Sequence, residues 1–186
     1  MSECRILVIS GTNRPNSNAF NVSRVLLNHY QKAGAKAEIL SLTELPHEVF
    51  DGAAYATKPP GMTVIQERVL SAQGLHVVTP EYNGSFPGVL KYFIDMLKFP
   101  ESFDRKPVAF TGEAAGTWGG LRSVEQLQLI FGYRNAHIYP DRVFIPGVGD
   151  KFDAQGKFLD TAIDERLAKQ VAGFMVFAST FCVPPQ

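Results

Sequence analysis

The sequence predicts a doubly wound α/β sandwich of three layers, a five-stranded parallel sheet between two layers of helices. Three observations carry that prediction. Five short apolar runs alternate strictly with five segments of helical periodicity, and right-handed crossovers then place helices on both faces. The runs are nearly continuous in apolar residues, as in Leu75-His76-Val77-Val78-Thr79, the pattern of strands buried on both sides. Loops rich in Gly, Ser, Thr and Asn follow the first, third and fourth runs, at the strand ends where such folds bind ligands.

Taken in order, Arg5 to Ile9 reads as the first strand and leads into Ser10-Gly11-Thr12-Asn13-Arg14-Pro15-Asn16-Ser17-Asn18. Val22, Val25, Leu26 and Tyr30 then recur at helical spacing, Gly34 stops that helix, and Ala35 to Leu42 reads as the second strand. The stretch from Leu45 to Gly61, punctuated by Pro and Gly, is expected as a surface loop or an interface ahead of a helix from Met62 to Gln73. Leu75 to Thr79 is the third strand, and a helix from Pro87 to Lys98 follows with Pro87 in its first turn. Pro107 to Thr111, a helix from Gly119 to Phe131, Ala136 to Ile145 and a helix from Leu159 to Ser179 complete the alternation. In the strand order 2-1-3-4-5 the winding reverses between the first and third strands, and the crevice beyond their C-terminal ends is the expected ligand site. No repeat or linker divides residues 1–186, so one domain is expected.

Composition narrows the partners. Lys plus Arg and Asp plus Glu are equal at 18 each, which gives no field to draw nucleic acid or an anionic membrane. Two cysteines, Cys4 and Cys182, form no CxxC and no His/Cys cluster, so neither disulfides nor a metal site is expected. The longest apolar stretches, such as Val171 to Ala178, fall short of the ~20 residues a membrane helix needs, and a soluble cytoplasmic protein is expected.

The first elbow suits an anion. A helix N-terminus carries unsatisfied N–H groups and roughly half a positive charge. Ser10, Thr12, Ser17 and Asn18 add donors, and Arg14 adds a guanidinium fork for a phosphate. The second loop, Thr79-Pro80-Glu81-Tyr82-Asn83-Gly84-Ser85-Phe86-Pro87-Gly88, combines fixed prolines, a stacking aromatic and approachable backbone, which suits a flat heteroaromatic ring. The third, Thr111-Gly112-Glu113-Ala114-Ala115-Gly116-Thr117-Trp118-Gly119-Gly120, offers small residues that let a ligand touch backbone.

At these residues the chain resembles the NADPH-dependent FMN reductases, a flavodoxin-like group that includes NAD(P)H quinone, azo-dye and chromate reductases. Gly11-Thr12-Asn13-Arg14-Pro15-Asn16-Ser17 is similar to the family's Gly-Ser/Thr-x-Arg-x-x-Ser elbow, and Pro80 to Lys91 to its Pro-Glu-Tyr-Asn-x-Ser-x-Pro-Gly-x-Leu-Lys segment. Gly116-Thr117-Trp118-Gly119-Gly120 is similar to its Gly-x-x-Gly-Gly turn. The chain departs at Tyr92-Phe93-Ile94-Asp95-Met96, where the family reads Asn-Ala-Ile-Asp-Trp. The resemblance implies FMN with its phosphate on Ser10, Thr12, Arg14, Ser17, Asn18 and Ala19. It implies a ring lined by Pro80, Glu81, Tyr82, Asn83 and Ser85, with Gly112, Gly116, Thr117 and Gly119 at the other edge. The chemistry then belongs to the cofactor, and no catalytic side chain is expected. NADPH or NADH is the implied electron donor, a small molecule such as a quinone, azo compound, metal oxyanion or free flavin the acceptor, and a homodimer or homotetramer the assembly.

Competing readings fare worse. Neither G-x-G-x-x-G nor a P-loop follows the first strand, and Gly84-Ser85-Phe86-Pro87-Gly88 has no evident His/Asp pair for a hydrolase. Glu81 and Glu113 read as loop residues satisfying backbone donors rather than an acid/base pair. His29, His47, His76 and His137 lack ligand spacing, and His76 and the Phe174, Phe177, Phe181 stripe read as core. The alternative of another class is a flavodoxin-like carrier or sensor that holds FMN without turning over nicotinamide. Such carriers are strongly acidic, so the charge balance favours the enzyme.

Overall fold

Strand β1 (Arg5–Ser10) sends Ile6 and Val8 to one face of the sheet and Leu7 and Ile9 to the other, all buried, because successive strand side chains alternate. This computed structural model describes residues 4–181, so Cys182 lies outside the described residues. Helix α1 (Asn18–Lys32) follows, capped by Ser17 and closed by Gly34 at φ 79°. Strand β2 (Lys36–Ser41), β3 (Gly74–Pro80), β4 (Pro107–Ala114) and β5 (His137–Pro146) complete a sheet in the order β2-β1-β3-β4-β5 with every pair parallel. Winding reverses between β1 and β3, where the expected order 2-1-3-4-5 puts it.

Helices α2 (Pro60–Ser71), α3 (Gly88–Met96) and α4 (Leu121–Tyr133) cover one face through Ile65, Phe93 and Leu127. Helices α1 and α5 (Thr161–Ser179) cover the other through Leu26, Leu167 and Phe174. Phe174 is fully buried, whereas Phe181 stacks on His137 near the surface, so only part of the aromatic stripe is core.

Several boundaries move for identifiable reasons. Strand β4 runs to Ala114 rather than Thr111, because Gly112, Glu113 and Ala114 pair with Phe144, Ile145 and Pro146 of β5. Helix α4 starts at Leu121 rather than Gly119, since Gly119 (φ 57°) and Gly120 (φ 89°) are left-handed. Pro87 is the N-cap of α3 rather than part of its first turn, and the helix stops at Met96. The segment from Leu45 to Gly61, expected as a surface loop or an interface, holds two 3-10 turns, His47–Phe50 and Gly52–Tyr55, which bury Val49 and Ala54, and a further 3-10 turn, Leu42–Glu44, precedes it and buries Leu42.

One polar chain crosses the α1/α5 core. The Thr111 hydroxyl donates to Gln170 Oε1 (2.9 Å) and accepts from His76 Nε2 (2.8 Å), so His76 Nδ1 accepts the Tyr30 hydroxyl (2.8 Å). Gln170 Nε2 donates to the Phe110 and Asp141 carbonyls at 2.9 and 3.0 Å. Burial holds His76 neutral, its pKa lowered from 6.5 to about 3. In that window the unfolded chain binds a proton that the folded chain refuses, so stability falls as pH drops below 6.5. Urea unfolding from pH 6.5 to 4.5 is expected to show the His76→Gln protein with a pH slope shallower than wild type by about 1 kcal/mol per pH unit. Parallel slopes would mean that His76 titrates normally.

Candidate functional site

The site begins where the chain leaves β1. The Gly11 N–H donates to the Val78 carbonyl at 2.8 Å, and a Cβ on Gly11 would lie 2.7 Å from that same oxygen, so only glycine carries the chain past β3 here. Thr12 then organises the elbow: its hydroxyl accepts the Arg14 N–H (3.2 Å) and meets the Tyr82 hydroxyl at 3.3 Å, which ties the first loop to the second. Ser17 Oγ accepts the Phe20 N–H at 3.2 Å, leaving its own proton free to be donated. The first turn of α1 holds no acidic residue, and Arg14 makes no ion pair among the described residues. Ser10 Oγ is fully buried and has no hydrogen-bond partner.

The second loop is a tight turn anchored from behind. Asn83 (φ 53°) and Gly84 (φ 74°) form its two left-handed central positions, and Tyr82 and Ser85 exchange backbone bonds of 2.8 and 3.1 Å, the pattern of a type I′ hairpin. Ser85 Oγ donates to Gln126 Oε1 (2.6 Å), and Gln126 Nε2 donates to the Gly84 carbonyl (3.1 Å). Glu81 accepts both the Arg122 N–H (3.2 Å) and its guanidinium (3.0 Å), completing the N-terminus of α4, while Ser123 Oγ donates to the Pro80 carbonyl (2.7 Å). The side chains of Glu81 and Ser85 are therefore turned to α4. Tyr82 remains 37% exposed over the cleft.

At the third edge, the glycines split into two kinds. A Cβ on Gly112 would lie 2.9 Å from the Gly119 and Gly120 carbonyl oxygens, and one on Gly119 would lie 2.8 Å from Ile145 N. These two pack backbone against backbone and are buried, while Gly116 and Thr117 are exposed at the rim.

A cleft of about 510 Å³ joins these loops, within the size range of small-ligand sites. Arg14, Ser17, Asn18, Pro80, Glu81 and Tyr82 line it, with Ser10, Thr12 and Ala19 buried close by in the same elbow and first turn. Pro15, Asn16, Glu113, Ala114 and Ala115, which belong to the same loops but are not among the expected ligand contacts, also line it, and Val148 joins them from outside the three loops. Val148 arrives from beyond β5 and carries no local signal. Glu113 is 5% exposed, and burial pushes its carboxyl up to about 7 against the opposing pull of the Ala19 N–H and the Arg14 guanidinium. Another cleft, of about 540 Å³, lies away from the switch point against Lys106, Pro107 and Phe181. No group of three or more His, Cys, Asp or Glu side chains among the described residues is arranged to hold a metal.

Comparison with known proteins points the same way. A model of the NADPH-dependent FMN reductase family matches residues 4–150. An NAD(P)H-dependent FMN reductase of Pseudomonas aeruginosa is 30% identical over 148 residues, covering 77% of this chain and 79% of that protein. An FMN-dependent NADPH-azoreductase of Staphylococcus aureus is 32% identical over 127 residues, covering 65% of this chain and 64% of its own. Among solved structures, the flavoenzyme NAD(P)H:(acceptor) oxidoreductase FerB of Paracoccus denitrificans superposes with a TM-score of 0.79 at 22% identity, covering 95% of this chain and 98% of that one. An archaeal flavodoxin superposes with a TM-score of 0.64 at 11% identity over 94% and 98%. These last two likenesses concern the fold.

The two kinds of glycine are separable by substitution. Gly112→Ala is expected to lower the unfolding free energy by about 2 kcal/mol, because the clash is with backbone, whereas Gly116→Ala, with nothing within 4 Å of its Cβ, is expected to stay within about 0.5 kcal/mol of wild type. Chemical denaturation of both variants measures the contrast, and equal stabilities would contradict the packing described.

Proposed function

The chain belongs to the NADPH-dependent FMN reductase family, and on that premise we propose that its switch-point cleft holds FMN and passes electrons from NAD(P)H to a small acceptor. The observation that carries the placement is the Ser10 hydroxyl, buried and unpartnered at the first elbow. A buried polar atom without a partner costs about 1–3 kcal/mol, so its persistence argues for a ligand oxygen as its mate. The donor set fits a phosphate: the Ser10 and Ser17 hydroxyls, the Asn18 N–H, the positive end of α1 and the Arg14 fork.

The ring is assigned to the face of Tyr82 and the turn at Asn83 and Gly84. The Asn83 and Gly84 backbone N–H groups bond nothing within the described protein and are available to a ring edge. Glu81 and Ser85 act in this reading by holding that turn to α4, and Gly112 and Gly119 by fixing the opposite wall. Gly116 and Thr117 stand at the rim, where a nicotinamide or an acceptor would approach. Bound FMN supplies the hydride and electron chemistry, so the chain's contribution is to bind, orient and leave one face open. One open face makes donor and acceptor take turns.

Quinones, azo compounds, metal oxyanions and free flavin all belong to the acceptor class proposed. The equal counts of 18 basic and 18 acidic residues support an enzyme over a strongly acidic electron carrier. A homodimer or homotetramer is proposed as the assembly, with the exposed Phe50 and Tyr55 beside Tyr92 as contacts, and the cytoplasm as its compartment. No helix among the described residues is long and apolar enough to cross a membrane.

Anaerobic mixing of the FMN-loaded protein with NADPH or NADH is expected to bleach the visible flavin spectrum, and adding a quinone to restore it. A flavin unbleached by both nicotinamides would overturn the proposal. Arg14→Ala is expected to weaken FMN binding roughly tenfold, the loss of one charge-assisted bond. Hydride transfer in the fraction that retains FMN should stay near the wild-type rate. Unchanged affinity would remove Arg14 from the phosphate site.

A further inference from the structure

Glu113 is the residue at this site that the FMN reading leaves unexplained. It is the only acidic side chain of the cleft, among the described residues, whose carboxyl is not committed to an ion pair, since Glu81 is held by Arg122. Its backbone cannot withdraw it. Position 113 is paired with Pro80 of β3 and Ile145 of β5, and its carbonyl accepts the Glu81 N–H at 3.0 Å. Strand alternation puts its side chain on the same face as Thr111, the face covered by α1 and α5. There it lines the same cleft as Arg14, Ser17 and Asn18, and the Ala19 N–H and the Arg14 guanidinium both favour its charged form. Those are groups that the phosphate reading claims for an anion.

We infer that Glu113 is a resident competitor for the phosphate seat, and that FMN enters the site together with one proton, taken from solvent onto the Glu113 carboxyl. Two anions confined to one helix N-terminus in a buried setting repel, whereas a neutral carboxyl offers an O–H to a phosphate oxygen. Burial already brings the group's titration to about 7, so the proton is available near neutrality. The charged and titratable groups that face it are Arg14 from the first elbow and Glu81 and Tyr82 from the second loop. Val148 faces it from beyond β5, and the first turn of α1 adds no acid.

The sign follows from linkage. A bound phosphate raises the carboxyl's proton affinity above that of the free protein, so binding takes up a proton at pH values above about 7. FMN affinity therefore falls as pH rises through that range, by at most tenfold per pH unit. Riboflavin, which lacks the phosphate, is exempt. The carboxyl thus selects for the phosphorylated flavin only in its protonated form, and makes alkaline conditions release it.

The inference rests on seating the phosphate at the start of α1, and the test separates the two. FMN is titrated into the flavin-free full-length chain at pH 6.5, 7.5 and 8.5 by fluorescence quenching, with riboflavin in parallel, for wild type, Glu113→Gln and Arg14→Ala. Wild type is expected to lose at least fivefold in FMN affinity between pH 6.5 and 8.5, and Glu113→Gln less than twofold while binding more tightly than wild type at pH 8.5. Calorimetry of wild type in two buffers of different ionisation enthalpy is expected to count more than half a proton taken up at pH 7.5, a readout independent of whether the variant folds. A flat wild-type profile or a proton count near zero overturns the inference, as does an unchanged slope in Glu113→Gln. If Arg14→Ala leaves FMN affinity unaltered, the phosphate seat itself is wrong. Weakened binding in Arg14→Ala together with a flat wild-type pH profile instead refutes Glu113 alone.

Discussion

The backbone bond from Gly11 to the Val78 carbonyl, 2.8 Å long, fixes where the first loop leaves the sheet, and every other feature of the cleft is built outward from it. It continues the β1–β3 ladder one step beyond the Ser10 and Val78 register, so the strands stay in contact up to the point where the winding reverses. A side chain at position 11 would also meet Leu90 Cδ2 at 3.0 Å, which means that β1, β3 and α3 close on this residue together. From that fixed exit the chain has only the residues up to Ser17 in which to turn, and the Thr12 to Tyr82 contact brings it over the second loop. The elbow's position is thus a consequence of sheet packing.

Rigidity behind the cleft comes from a second set of groups. Pro80, Glu81, Gly84 and Ser85 are each bonded to α4 through Ser123, Arg122 or Gln126. Arg122 and Glu81 form a partly exposed pair whose direct contribution to stability is small, about 0–1 kcal/mol. Its value lies in orientation: a turn whose side chains are committed at the back presents its backbone and Tyr82 at the front without further ordering cost. This is why Glu81 and Ser85, polar residues that the resemblance assigns to a ligand's ring, turn their side chains to the protein instead.

The sequence made the architecture legible because its signals are local and redundant. Apolar runs, helical spacing and stop residues such as Gly34 each point to the same alternation, which with right-handed crossovers gives a parallel sheet covered on both faces, while the order 2-1-3-4-5 rests on the flavodoxin-like resemblance. The elbow was legible for the same reason, since Ser17 and the donors around it mark a helix start. What escaped was imposed from a distance. Gly112-Glu113-Ala114 has little intrinsic preference for a strand, and it becomes one because β5 is long enough to pair with it. Val148 reaches the cleft only through the course of β5, and the 3-10 turns between β2 and α2 gain their burial from α3. The direction of Glu81 and Ser85 was equally hidden, because it depends on Arg122 and Gln126 about 40 positions onward.

Along the α1/α5 face of the sheet, buried polar groups change character within a few residues. In its middle, Tyr30, His76, Thr111 and Gln170 form a closed chain whose donors and acceptors match, and burial keeps His76 neutral at little cost because each ring nitrogen has its partner. At the C-terminal end of the same strands the accounting fails. Ser10, two positions beyond Val8 on β1, has no partner, and Glu113, two positions beyond Thr111 on β4, sits in a setting that resists its charge. Alternation guarantees that both point to the face where α1 begins. Folding alone gives no reason to keep such groups there, since an apolar pair of similar shape would cost less. Their coincidence at a helix N-terminus therefore marks the end of the sheet that is organised for binding, and separates it from the polar groups that only hold the fold.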